Sequence, residues 1–244
     1  ARHTCNILQS SGSYRMSTEK QSISSCDEKR RQSVKHHYAK YKHRVEDSHN
    51  TPLEDRKELG YDTPFLNSCA INPSKSSPLM HLSCGSGCPL RLPGSPRPGE
   101  TVIDLGCGAG HDVILSSRIV GPAGRVIGID FTMEMIDAAR HNIKMYNDRA
   151  ADDDGDENDG HDASNIDIVN AVIDDPNVPL LEPNVAHVVI SNGVFNLCPD
   201  KKTAFANAFR VLRPGGRFLL SDLCSVEANL LALVTCSLGD DWSS

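Results

Sequence analysis

The residues best placed for chemistry lie between positions 102 and 130. Asp104 is followed by glycines at 106, 108 and 110, and a second acid, Asp130, comes twenty residues after the last of them. Glycines at alternate positions let backbone approach a ligand closely, at the carboxyl end of a strand where open α/β sheets bind ligands. The spacing is GxGxG, not the GxGxxG that opens a helix N-terminus to a dinucleotide's pyrophosphate. An acid where Asp130 stands can accept both hydroxyls of a ribose. Cysteine is the other reactive type: nine are scattered through the chain, with Cys84 and Cys88 four apart and no CxxC pair. Without a second pair or a nearby histidine cluster, no metal site is expected, and the thiols are read as mostly reduced.

The surrounding sequence supplies the elements that must position these groups. Val102–Leu105 is a strand running into the glycine turn, and the amphipathic run from His111 to Ile119 is a helix. Arg125–Asp130, Ile166–Ile173, Val185–Ser191 and Arg217–Asp222 read as four more strands. Between them lie a helix capped by Thr132 and another from Pro199 to Leu212, stopped by Arg213-Pro-Gly-Gly. Alternation of strand and helix predicts an α/β fold with a doubly wound parallel sheet. The acidic stretch from Ala150 to Asp162 lacks the twelfth-position Glu of an EF-hand and reads as a solvated loop.

Composition narrows the classes of function. Residues 1–60 hold 12 Lys and Arg against 8 Asp and Glu, leaving 13 against 24 beyond them. With one Trp and 5% aromatic residues, the acidic remainder argues against nucleic acid as a partner. No apolar run reaches the length of a membrane span. Residues 1–50 are expected to form a disordered leader with one helix over Arg30–Glu46. A cytoplasmic location is expected; the first 18 residues, free of acids, are the feature a targeting sequence would share.

DLGCGAG after a strand, with an acid ending the next strand, resembles the class I S-adenosylmethionine-dependent methyltransferases. Within them the chain most resembles the arsenite methyltransferases. The shared stretches are Pro98-Gly-Glu100 leading into the first strand, Gly121–Thr132 (GPAGRVIGIDFT) and Ser191–Lys201 (SNGVFNLCPDK), preceded by the CGSGCP loop at 84–89. The RVLRPGGRFLLSD stretch from Arg210 supports the superfamily but not the substrate.

The resemblance implies a Rossmann-like sheet in the order 3-2-1-4-5, a methyltransferase domain over 51–244, and S-adenosylmethionine as cofactor. It implies cofactor contacts at Asp104, Gly106, Cys107, Gly108, Gly110, Asp130, Phe131, Ser191 and Asn192. Asp174 would meet the adenine amino group, with Asp175 as the alternative. Arsenite would be held by Cys84 or Cys88 and by Cys236, with Cys69 accessory and glutathione or another thiol as partner. Two departures stand out: Gly193 replaces a family cysteine, with Cys198 five residues on, and His187 stands where family members usually have Asp. The family's C-terminal hairpin is missing from the pattern, so a fragment or shortened variant with an uncovered fifth strand is expected. The alternatives are a methyltransferase for another small O, N or C acceptor and a non-catalytic cofactor-binding fragment.

Overall fold

A computed structural model describes residues 8–9, 25–47, 60–69, 86–152, 163–176 and 181–223. The sheet is built from β1 (Leu8–Gln9), β2 (Thr101–Leu105), β3 (Arg125–Asp130), β4 (Ile166–Asn170), β5 (Ala186–Asn192) and β6 (Leu212–Ser221). The helices are α1 (Ser25–Asp47), α2 (Thr63–Ser68), α3 (His111–Val120), α4 (Met133–Asp152) and α5 (Lys201–Val211). The spatial order is β1-β6-β5-β2-β3-β4. Strands β2 to β6 are parallel, the 3-2-1-4-5 order expected from sequence.

The central strands form because Val102, Ile103 and Leu105, then Val126, Ile127 and Ile129, are short apolar runs buried on both faces. Helices α3 and α5 cover opposite faces, so Ile114 and Leu115 share one core with Val102, while Ala204 and Ala208 share another with Ile103 and Phe218. Asp200 caps α5 by accepting from the backbone N–H of Thr203 at 3.0 Å.

Two expectations are corrected. The sixth strand's edge is not bare, because β1 pairs antiparallel to it, Leu8 opposite Phe218 and Gln9 opposite Arg217. That pairing covers backbone groups an open edge would expose. The last strand also begins earlier than expected, at Leu212 and not Arg217; Arg213-Pro-Gly-Gly follows the end of α5 and has no partner in β5, the register passing from Ala186–Leu212 to Val188–Arg217 around it, with Gly215 at φ +76°.

The His187 departure has a structural account. Its Nδ1 accepts the backbone N–H of Thr101 at 3.0 Å, joining the start of β2 to β5. An Asp carboxylate at this position has the same acceptor capacity. The acidic insertion beyond Asp152 lies outside the described residues.

Candidate functional site

A cavity opens at the carboxyl ends of β2, β3 and β5, walled on its outer side by α1. Its floor is the glycine turn. The N–H groups of Gly106 and Cys107 both donate to the carbonyl of Ile129, at 2.8 and 2.9 Å, so the turn is tied to the end of β3. Gly106 has φ +82°, and a Cβ there would run into the methyls of Val194. Gly108, at φ +50°, lines the cavity, and a Cβ on it would meet nothing within 4 Å. The first glycine permits close packing; the second leaves room for a ligand against bare backbone.

Asp130 holds this arrangement. Its Oδ2 accepts the N–H of Gly108 at 3.0 Å and its Oδ1 that of Thr132 at 2.9 Å, which fixes the carboxylate toward the cavity. Each oxygen keeps a lone pair for a hydroxyl donor. Burial raises its pKa, opposed by hydrogen bonds from the Thr132 and Gly108 amides. Asp104, 2% exposed, is pushed well above the carboxylate range by burial and then by the charges of Asp112 and Asp130.

Asp112, at the start of α3, resists the same tendency. Burial pushes its pKa up, but hydrogen bonding and charge from His111, with hydrogen bonds from Tyr61 and Asn192, bring it below the usual range. Tyr61 donates to Asp112, its Oη lying 2.7 and 2.9 Å from the two carboxylate oxygens. Asn192 Nδ2 lies 2.8 Å from Tyr61 Oη and 3.1 Å from Asp112 Oδ2. Three carboxyl groups thus surround one end of the cavity, and Arg31 is the one Lys or Arg among the described residues that line it. Such a site favours a ligand carrying positive charge.

Arg31 serves the opposite end. Its Nη2 lies 3.1 Å from Asp174 Oδ1, and Asp174 Oδ2 accepts the N–H of Asp200 at 3.0 Å. Val34 and Tyr38 complete the wall, Tyr38 packing over Ala109, Met135 and Ala138.

Among the residues singled out from sequence, Asp104, Gly106, Cys107, Gly108, Asp130, Phe131, Asp174 and Asn192 all line this cavity. Gly110 is the N-cap of α3, and Ser191 is fully buried, donating to the carbonyl of Leu105 at 2.8 Å. Cys84 and Cys236 lie outside the described residues. Cys88 is 7% exposed in the core cluster with Tyr61 and Cys69; burial, then the Asp112 charge, pushes its thiol well above its ordinary pKa. Cys198 does line the cavity, and its thiol is pushed up to about 12 by burial and the Asp174 charge. A thiol held neutral is a poor ligand for a thiophilic centre.

Sequence reasoning missed the contributions of Arg31, Val34, Tyr38, His111 and Asp112. Tyr61 was given no role either. An acid one residue into a helix that opens on a glycine turn was the available signal for Asp112; α1 offered none, having no sustained apolar period.

Residues 96–239 match the family described as "Methyltransferase domain". The chain is 38% identical to an arsenite methyltransferase of Halobacterium salinarum over 72% of its own length and 38% of the relative's. It is 28% identical to one from Aquipseudomonas alcaligenes, over 79% of this chain and 50% of that one. A crystal structure of an arsenic (III) S-adenosylmethionine methyltransferase from Chlamydomonas reinhardtii superposes with a TM-score of 0.52 at 30% identity, covering 65% of this chain and 48% of that one. The chain therefore spans half or less of the length of these relatives.

Proposed function

The chain belongs to the methyltransferase-domain family, and from that premise we propose that it transfers a methyl group from S-adenosylmethionine to trivalent arsenic presented as arsenite on thiolates. The observation that carries the cofactor reading is the cavity itself, lined by bare glycine backbone at Gly108 and by buried acids at Asp104, Asp112 and Asp130. When bound, S-adenosylmethionine supplies an electrophilic methyl on a sulfonium.

The chain's residues would hold it by its two polar ends. Asp130 would accept the ribose hydroxyls and Asp174 the adenine amino group, with Phe131 beside the ring and Cys107 in the turn beneath. The acids at 104 and 112, with Asn192, would face the positively charged methionyl end. The reaction is an in-line displacement, so the protein's task is alignment and exclusion of water. The arsenic lone pair would form the As–C bond as the S–C bond breaks, with that bond's electron pair left on sulfur, so no side chain of this chain need act as acid or base in the transfer.

Arsenic is the proposed acceptor because the named relatives share it and because Cys84 and Cys236 remain as thiolate donors on separate segments. Two thiolates and an exogenous thiol such as glutathione would complete a trigonal set. One observation favours a second acceptor class: Gly193 lines the cavity where the family carries a cysteine, while Cys88 is buried away from it. The test is transfer of labelled methyl from S-adenosylmethionine to arsenite with glutathione, against a panel of carbon, nitrogen and oxygen acceptors. Arsenite is expected to be methylated, and thiol blocking to abolish the reaction. Gly193→Cys should raise turnover with arsenite, although φ +70° at that residue opposes a side chain by about 1 kcal/mol. Transfer to another acceptor that survives thiol blocking would replace arsenite in the proposal.

A further inference from the structure

The hydrogen bonds at the charged end of the cavity reach one segment that does not line it. Asn192 Oδ1 accepts the backbone N–H of Ser86 at 2.8 Å, while its Nδ2 faces Tyr61 and Asp112. Asp112 and the Ser86 N–H set which way the Asn192 amide points, since a flip would set an amide oxygen against an Asp112 oxygen and an N–H against the Ser86 N–H; Tyr61 Oη, donating to Asp112 and accepting from Asn192 Nδ2, locks the two side chains together. The same hydroxyl lies 3.4 Å from the carbonyl of Gly87. Tyr61 is 3% exposed and its ring meets His111 edge-on, with centroids 4.8 Å apart.

Ser86 and Gly87 are pinned from the other side as well. A Cβ on Gly87 would lie 2.6 Å from Ser221 Oγ, so the backbone of residue 87 rests directly on the end of β6. Ser221 in turn accepts, at its carbonyl, the N–H of Gly193 at 2.8 Å. Five segments distant in sequence thus meet at the reacting end: the chain before α2, the start of α3, the loop at 86–88 and the ends of β5 and β6.

We propose that Tyr61 is a positioning residue for methyl transfer, its hydroxyl orienting the Asn192 side chain and through it the Ser86–Gly87 loop against the charged end of the cavity. This rests on the methyltransferase reading. Tyr61 lies outside the cavity lining; it acts through Asn192 and Asp112, which belong to that lining. A displacement of the loop by about 1 Å is enough to reduce transfer on the order of a hundredfold without touching the cofactor.

The test is Tyr61→Phe, with calorimetric titration of S-adenosylmethionine, turnover with arsenite and glutathione, and hydrogen exchange at the Ser86 amide measured by NMR. The expected result is turnover reduced at least about tenfold, cofactor affinity lowered by a clearly smaller factor than turnover, and faster exchange at Ser86. Unchanged turnover and exchange would overturn the proposal, as would a parallel loss of cofactor affinity and turnover. Gly87→Ala leaves the network's side chains intact and should lower turnover by pressing on Ser221, with Ser221→Ala in the same chain restoring it. Full turnover in Gly87→Ala would also overturn it. If wild type binds cofactor and methylates no acceptor, the methyltransferase reading fails on its own, and Ser86 exchange in Tyr61→Phe still decides whether the hydroxyl holds the loop.

Discussion

The two ends of the cavity are held together in different ways. At the glycine turn nearly all the fastening uses backbone: Gly106 and Cys107 bond to the Ile129 carbonyl, and one side chain, Asp130, takes the amides of Gly108 and Thr132. All these groups come from one strand-turn-helix-strand unit spanning about thirty residues of sequence. At the reacting end the fastening is by the side chains of Tyr61, Asp112 and Asn192, from three distant segments, which hold the backbone of a fourth at Ser86; Tyr61 to Asp112 alone spans 51 residues. The first end tolerates change at most surface positions because its geometry is written into φ angles and strand register. The second depends on single hydroxyl and amide groups, so acceptor specificity can diverge while the cofactor end stays constant. Gly193, where the resemblance to arsenite methyltransferases implies a cysteine, lies in the second.

The largest effect that would break the contrast is expected from Gly106→Ala. The added methyl meets Val194 on a backbone at φ +82°, and overpacking of this kind costs about 1–3 kcal/mol before the left-handed conformation adds about 1 more. A loss of cofactor affinity on the order of a hundredfold, with a lowered Tm, is predicted from titration and thermal melts. Wild-type behaviour would show that the turn is not rigid.

The smallest effect concerns stability rather than binding and sits between β2 and β5. Burial, then the positive charge of Arg213, lowers the pKa of His187, countered in part by Glu100. Folded His187 therefore loses its proton at a lower pH than the unfolded side chain, whose value is about 6.5. Between those two values the unfolded chain binds more protons, so stability falls as pH drops. The contribution is fully present above about pH 6.5 and is lost as pH falls toward the folded value. Melts between pH 5 and 8 should show that slope in wild type, and His187→Asp, which keeps an acceptor for the Thr101 amide, should flatten it. An unchanged slope in the variant would assign it to other groups.

What could be read in the sequence follows the same division. The central strands were legible because residues such as Val102 and Ile103 form short apolar runs, and the glycine turn because its spacing has few alternative uses. Strand order came with the family resemblance. The Arg31 wall was illegible because its helix has no sustained apolar period, and the two apolar side chains it sets in the wall, Val34 and Tyr38, stand among mostly polar neighbours. The Tyr61 fastening was illegible because no local pattern announces a bond across 51 residues. The start of β6 at Leu212 was illegible because Arg213-Pro-Gly-Gly, unpaired with β5, separates that residue from the apolar run after Arg217.

The central claim is that this cavity holds S-adenosylmethionine with its ribose on Asp130. Isothermal titration of the full chain and of Asp130→Ala tests it most directly. The account predicts one saturable site in wild type, weakened in the variant by about 1.5–3 kcal/mol, roughly ten- to a hundredfold, through loss of hydrogen bonds to a charged group. Absence of binding in wild type, or equal affinity in both proteins, would contradict it.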